Sequence, residues 1–306
     1  MPSYMDPKRM VEYCRIPMEE LENHPDARCK IKIFKTSKEV GERAGEMMIE
    51  ELLANKKAGK PTRWVMACGA KTQYNVFIKY VNENRIRLDD VHIFLMDDYL
   101  DWNCRPFPPD NPYFNLPAKF KRDFYDKIDP ELTVPESQRH CPLYNDQDAL
   151  DKAVEAVGGV DTVFGGLGFK GLVAYCEAPM NPLFTVTIDD YKNMKTRIYP
   201  INDDTTIAYA ERKFGGLTHM NPPLGISIGF KSMLTAKRVV FSVTTGSWKR
   251  TAVRVMMFNE PTVEYPSTIF TEKCEVVLLC DENSAKPPLP ERFLPEYYNF
   301  QISGDL

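Results

Sequence analysis

Carboxylates and glycine-rich turns at the ends of apolar runs are the residues of this chain whose spacing could do chemistry. The longest such stretch is Gly165-Gly-Leu-Gly-Phe-Lys-Gly-Leu-Val-Ala-Tyr-Cys-Glu-Ala-Pro179. It leaves an apolar run, Val160 to Phe164, that reads as a buried strand. Four glycines in seven residues let the backbone turn sharply and approach a ligand closely. Gly166 and Gly168 lie in this turn, and the carboxylate of Glu177 follows it. A second stretch, Phe94-Leu-Met-Asp-Asp-Tyr-Leu100, delivers Asp97 and Asp98 at the carboxyl end of the run Val91 to Met96. Adjacent strand residues point to opposite faces, so at most one of the two aspartates should face a ligand while the strand continues. Two further loops suit an anion. Gly69-Ala-Lys-Thr-Gln73 joins a strand to a helix, and Thr244-Thr-Gly-Ser-Trp-Lys249 does the same with a cation at its end. Backbone amides and a helix N-terminus converge at such a junction, and Ala70, Lys71 and Thr72 would present donors to a phosphate. The first loop has neither the Walker pattern nor a dinucleotide fingerprint. Each stretch also reads as an ordinary strand-to-helix turn.

The bulk composition narrows the classes. The chain has 306 residues, 43% apolar and 27% charged, with a formal net charge of −4. Those values suit a globular α/β protein and give no reason to expect nucleic acid or an anionic membrane as partner. No apolar run is long enough to span a bilayer, and the first residues lack the apolar core of a signal peptide. A cytoplasmic location is the expectation. The eight cysteines form no Cys-x-x-Cys pair and none has a histidine at zinc-finger spacing, so neither a metal nor another cofactor is expected. His92 and His140 read as structural.

The elements that must position these groups follow from periodicity. Ile31 to Phe34 is a short strand. Thr36-Ser-Lys-Glu39 has capping-box spacing, and Val40, Ala44, Met47, Met48 and Leu52 repeat at helical intervals after it. Trp64 to Cys68 is a strand, followed by a helix through Val76, Phe77, Tyr80 and Val81. Leu116 to Ile128 and Gln147 to Val157 read as helices. Residues 183–200 alternate as a strand would, through Phe184, Val186 and Ile188. Asp203 to Gly216, with Arg212 inside it, reads as a polar mobile loop or a flap. Leu224 to Gly229, Arg238 to Val243 and Glu275 to Cys280 are strands, with a helix through Val253, Met256 and Met257. Residues 1–30 form an irregular arm with a short helix near Pro17 to Asn23, and residues 286–306 a surface tail. The alternation of strand and helix implies one α/β domain, a three-layer α/β/α arrangement around a mostly parallel, Rossmann-like open sheet.

With these stretches placed, the chain resembles the glucosamine-6-phosphate deaminase/isomerase family, which includes the 6-phosphogluconolactonases, over roughly residues 31–285. Leu95-Met-Asp-Asp-Tyr99 is similar to the family's Asn-Met-Asp-Glu-Tyr. Gly166 to Pro179 is similar to its Gly-x-Gly-x-Asp-Gly-His-Ile-Ala-Phe-Asn-Glu-Pro. Leu224 to Leu234 and Thr245-Gly-Ser-Trp-Lys249 match two later motifs in order. The resemblance implies a phosphorylated sugar as ligand, bound at the carboxyl ends of the strands, and a homo-oligomer. It places Asp97 at the enolising base, Glu177 at the carboxylate that orients a catalytic histidine, and Arg212 with Lys249 at the substrate phosphate. Ala70 to Gln73 fall on the family's phosphate loop, of which only Thr72 is kept.

Two departures stand inside the best match. Lys170 replaces an aspartate, and Leu172 replaces the histidine that shuttles the proton in ring opening. What remains would suffice for an open-chain sugar: a carboxylate base between C1 and C2, amides of the Gly165 to Gly171 loop to stabilise the enediol oxygen, and a cationic anchor for a remote phosphate. His219 is a candidate replacement shuttle, and Lys170 a candidate Schiff-base amine, although a charge partner for Glu177 or Asp97 is its simpler reading. The expectation is therefore a sugar-phosphate isomerase or deaminase with altered ring opening or altered substrate. The alternative is a non-catalytic sugar-phosphate binder of the same fold. A nicotinamide-dependent oxidoreductase is set aside, because the first strand lacks a Gly-x-Gly-x-x-Gly turn.

Overall fold

Short β-branched and aromatic runs alternate with amphipathic helices along this chain, and that alternation builds a sheet covered on both faces. The computed structural model describes residues 5–180 and 186–288. The strands are β1 (Lys30–Phe34), β2 (Thr62–Met66), β3 (Val91–Leu95), β4 (Asp97–Leu100), β5 (Arg139–His140), β6 (Thr162–Gly166), β7 (Arg197–Pro200), β8 (Leu224–Ser227), β9 (Arg238–Val243) and β10 (Glu275–Asp281). Among the described residues, seven of them form one sheet in the order β1-β10-β9-β6-β2-β3-β5. Every neighbouring pair in it is parallel. The other three form an antiparallel sheet in the order β4-β8-β7.

Side chains on the central strands feed two apolar cores. On β2, Val65 enters one core while Trp64 and Met66 enter the other, as a period of two requires. The helices Ser37–Lys57, Lys71–Glu83 and Leu116–Asp123 pack on the Trp64 side. The helices Asp148–Ala156 and Arg250–Phe258 pack on the Val65 side. Trp64 is fully buried and meets Phe77 and Phe164 edge-on. Complete burial of an aromatic side chain of this kind is worth roughly 1.5–3 kcal/mol. The result is the expected three-layer α/β/α arrangement.

Strand order sets where a ligand can enter. From β2 the chain moves outward to β3 and β5, and from the adjacent β6 it moves the other way to β9 and β10. The loops leaving β2 and β6 therefore diverge, and open parallel sheets bind ligands in the crevice formed at such a switch point.

Four expectations are corrected. The arm contains a helix, Pro7–Arg15, ahead of the short 3-10 turn Met18–Asn23. Pro7 opens it at the first helical position, where a missing N–H costs nothing, and Asp6 caps it. Within 183–200, Thr187 caps a short helix, Ile188–Lys192, through a capping box with Asp190, and only Arg197–Pro200 is strand; Phe184 lies outside the described residues. The segment read as a mobile loop is the helix Asp203–Phe214, ended by Gly215 in the left-handed conformation. Finally, β8 belongs to the small antiparallel sheet. Residues 289–306, most of the expected tail, lie outside the described residues. No helix among the described residues is long and apolar enough to cross a membrane.

Candidate functional site

A cavity of about 350 Å³ lies at the switch point, walled by the loops that follow β2, β3, β6 and β9 and by the helix Asp203–Phe214. Its first carboxylate comes from a change of sheet. At Met96 the chain leaves the parallel sheet, where the Met96 N–H donates to Met66, and the Met96 carbonyl accepts from Ile228. β4 starts at the next residue, and the two aspartates separate. Asp98 turns inward, where one of its oxygens accepts from the N–H groups of Tyr99 and of Leu116, the first residue of the helix Leu116–Asp123, at 2.9 and 2.8 Å. Asp97 faces the cavity and makes no hydrogen bond or ion pair among the described residues. Loss of water, with Asp98 adding to it, pushes the Asp97 carboxyl up to about 7. Tyr99, Tyr175 and Tyr209 line the same wall. Burial and the Asp97 carboxylate push the Tyr209 phenol up to about 12.

The glycine loop after β6 is closed on itself. The N–H of Gly168 donates to the Leu172 carbonyl and that of Gly171 to Gly168. These two amides are therefore spent inside the loop and do not reach a ligand, contrary to the expectation for an enediol-stabilising set. Gly166, Gly168 and Leu172 all line the cavity. A Cβ on Gly168 would stand 1.9 Å from Leu172 Cγ, so glycine is required there for the leucine to pack inward. The position that the resemblance assigns to a proton shuttle is thus an apolar part of the wall.

The cationic end is built by two elements. In the last turn of Asp203–Phe214, the Arg212 guanidinium lies over the Trp248 ring at 4.6 Å. Trp248 and Lys249 come from the loop after β9, where Gly246 takes a φ of 93° that favours glycine. Lys249 Nζ lies 4.3 Å from the same ring and donates to the Leu167 carbonyl. Burial, with Arg212 adding to it, brings the Lys249 ammonium down to about 7. Neither cation has a carboxylate partner among the described residues. Thr245 Oγ1, from the same loop, is buried without a hydrogen-bond partner among the described residues. A buried ammonium and an exposed guanidinium beside an unspent hydroxyl form an arrangement that an anion would complete.

Other expected residues stand apart. Ala70 lines the cavity, with Gln73 from the first turn of its helix. Lys71 is exposed, and Thr72 packs its side chain against Gly41. Lys170 pairs with Asp204 at 3.0 Å and is half exposed. Neither Lys71, Thr72, Lys170 nor Glu177 is on the cavity wall. Glu177 lies behind it, buried, with Oε2 accepting from the Asn202 N–H at 2.8 Å and Oε1 without a hydrogen-bond partner among the described residues. Burial pushes its carboxyl up to about 7, against the pull of that N–H. His219 sits in an exposed 3-10 turn away from the cavity. Tyr209, Trp248 and Lys119, to which the sequence assigns no role, are also on the wall, as is Lys213 from the segment that reads as a flap. Tyr209 stands three residues before Arg212, the spacing that shares a helix face, but the sequence of the segment reads as a loop.

No protein-family model matches the chain. It is 25% identical to mouse glucosamine-6-phosphate deaminase 1 over 213 residues, 69% of this chain and 68% of that protein. It is 22% identical to the glucosamine-6-phosphate deaminase of Mycoplasma mycoides subsp. mycoides over 261 residues, 84% of this chain and 96% of that protein. Among solved structures, it is similar to a monomeric glucosamine-6-phosphate deaminase of the NagB superfamily, with a TM-score of 0.65 and 19% identity over 84% of this chain and 98% of the other. It is also similar to 6-phosphogluconolactonase from Thermotoga maritima, with a TM-score of 0.55 and 15% identity over 82% of this chain and 99% of that one.

Proposed function

Because the chain belongs to the glucosamine-6-phosphate deaminase/isomerase family, we propose that it binds a phosphorylated sugar in this cavity and enolises it between C1 and C2. The observation that carries the reading is the division of the cavity wall. Arg212 and Lys249 meet over Trp248 without a counter-ion, while Asp97 faces the same space with its carboxylate unspent. In this reading the substrate phosphate sits between the two cations, and Thr245 donates to it. Its binding energy fixes the distant reacting carbons.

Asp97 is the base. With a pKa of about 7, it is ionised for much of the time near neutrality, yet basic enough to take a carbon-bound proton. Its oxygen removes the proton from C2 of an aldose, or from C1 of a ketose, and returns it to the neighbouring carbon. The electron pair released moves onto the carbonyl oxygen, which a phenol such as Tyr209 hydrogen-bonds, and that oxygen takes up the proton that the O–H or N–H on the neighbouring carbon gives up as the new C=O or C=N forms. With a 2-amino sugar, water then adds to C2 of the ketose-side imine and ammonia leaves, giving the ketose phosphate. Leu172 cannot transfer a proton, so the substrate is one that arrives open-chain or opens by itself. A homo-oligomer working in the cytoplasm completes the proposal. No cofactor is needed for these steps.

One observation favours a second reading. Leu172, packed on Gly168, gives the cavity an apolar wall, which suits a protein that holds a phosphosugar without converting it. The two readings separate in one experiment. The protein is offered a panel of 2-amino and 2-hydroxy sugar 6-phosphates, with ketose phosphate and ammonia assayed and the melting temperature followed. The enzyme reading expects turnover that falls by at least about 10²-fold in Asp97→Asn, with ligand stabilisation kept. Stabilisation without turnover in the unaltered protein would establish the binder and overturn the enzyme.

A further inference from the structure

Shifting a carbonyl between C1 and C2 moves two protons, and Asp97 carries only the carbon-bound one. The other passes between the heteroatoms on the two carbons, and Tyr175 is placed to carry it. The backbone there makes a tight turn, with the Cys176 N–H donating to the Val173 carbonyl at 2.9 Å. Inside the turn Ala174 takes a φ of 51°, a left-handed conformation that residues with a side chain seldom adopt and that gathers at functional sites. The Tyr175 N–H then donates to Ser227 Oγ at 3.2 Å. Ser227 stands directly opposite Asp97 in the pairing of β4 with β8, and opposed side chains of such a pair lie roughly 5 Å apart. The Tyr175 ring lies over Gly225, the residue opposite Tyr99 in the same pairing. A Cβ on Gly225 would stand 2.7 Å from the ring's Cδ2, so glycine there makes room for the ring. Its centroid is 5.4 Å from that of Tyr99. Tyr175 is 4% exposed and shares the cavity wall with Asp97. Burial first, then Tyr99 and the Asp97 carboxylate, keep its phenol well above the ordinary value, so it holds its proton near neutrality. Tyr209 is less confined, being half-buried with the Lys213 ammonium 4.6 Å from its ring. In the motif that Gly166 to Pro179 resembles, position 175 is a phenylalanine. This chain therefore gains a hydroxyl three residues after Leu172, where it lacks the histidine.

We infer, resting on the enolising reading above, that Tyr175 is a second catalytic residue and relays the heteroatom proton. Its O–H gives a proton to the carbonyl oxygen, and its own oxygen takes the proton that the O–H or N–H on the neighbouring carbon releases as the new C=O or C=N forms. One O–H bond breaks and one forms at the tyrosine, which ends as it began. The ligand gains on one heteroatom the proton it loses from the other, and no oxidant or reductant takes part.

Tyr175→Phe keeps the ring over Gly225 and removes only the hydroxyl. Steady-state kinetics on the full chain, with the panel of 2-amino and 2-hydroxy sugar 6-phosphates, test the relay. The variant is expected to lose about 10²-fold or more in kcat and to keep KM within about two-fold, as fits a contact made only in the transition state. Its melting temperature should stay within about two degrees of the unaltered protein's. A kcat that stays within about three-fold overturns the relay and leaves enolisation by Asp97 standing. A loss of kcat that comes with a melting temperature lowered by more than about five degrees places Tyr175 in packing and overturns the relay as well. If the unaltered protein turns over no member of the panel, the enolising reading falls and the relay falls with it.

Discussion

Asp97 shows what a buried carboxylate costs the fold. Its pKa in the folded chain, about 7, lies above the ordinary 3.8. A carboxyl raised in this way gives a stabilising contribution that is complete below the unfolded value and is lost as the pH rises through the folded one. Asparagine has no such loss. Asp97→Asn is therefore expected to raise the melting temperature by several degrees near pH 8, corresponding to at most a few kcal/mol. Near pH 4, where the aspartate is protonated in the folded protein, the gain should vanish. Calorimetry at the two pH values checks it, and an equal shift at both would show that Asp97 is not the raised group. At this scale much of the site was legible. Two adjacent aspartates at a strand end implied that at most one would face the crevice, and Asp97 lines the cavity, because β4 begins there and Asp98 is consumed by the N–H groups of Tyr99 and Leu116. Trp248 was not legible as a site residue. Its part comes from the two cations that meet over its ring, and one of those arrives from a different element.

Elements explain Glu177 better than single residues do. The helix Asp203–Phe214, which carries Tyr209, Arg212 and Lys213, starts at Asn202 with no side-chain cap of its own. Glu177 supplies one from outside by accepting the Asn202 N–H, and a carboxylate there also faces the positive end of the helix. The Asn202 side chain returns a hydrogen bond to the Ala178 carbonyl. Lys170 pairs with Asp204 in the first turn of the same helix, an exposed contact worth little by itself. The glycine loop thus holds the helix that brings Arg212 to the cavity. Glu177→Leu is expected to cost about 1–3 kcal/mol of stability and to raise KM for a phosphosugar about ten-fold, with kcat changed less. Glu177→Gln keeps an acceptor and should recover most of the loss. A glutamine variant whose kcat collapses as far as that of the leucine variant would instead place Glu177 in proton transfer. This helix was hidden in the sequence because its buried positions are small or polar, Thr205 and Ala210, while Ile207 is exposed. No apolar stripe announces it. Thr36 with Glu39, in contrast, was read as a capping box and is one, because that signal is local.

For the whole molecule, the parallel sheet was legible because buried central strands are written as near-continuous apolar runs. The small antiparallel sheet was not. β8 reads like any core strand, and nothing local says that it pairs with β4 rather than joining β9. Net charge was equally silent about the site. The chain carries −4 overall, yet its cavity gathers four cations against one carboxylate, since local field depends on which loops meet at the switch point. In the function we propose, that meeting lets Asp97 at one part of the cavity take a carbon-bound proton from a sugar whose phosphate is held at another. The most direct measurement is proton NMR in D₂O with the sugar 6-phosphates, following the C1 and C2 protons with the unaltered protein and with Asp97→Asn. One of those signals should disappear with the unaltered protein and persist with the variant. Exchange that continues at the same rate in Asp97→Asn would contradict it.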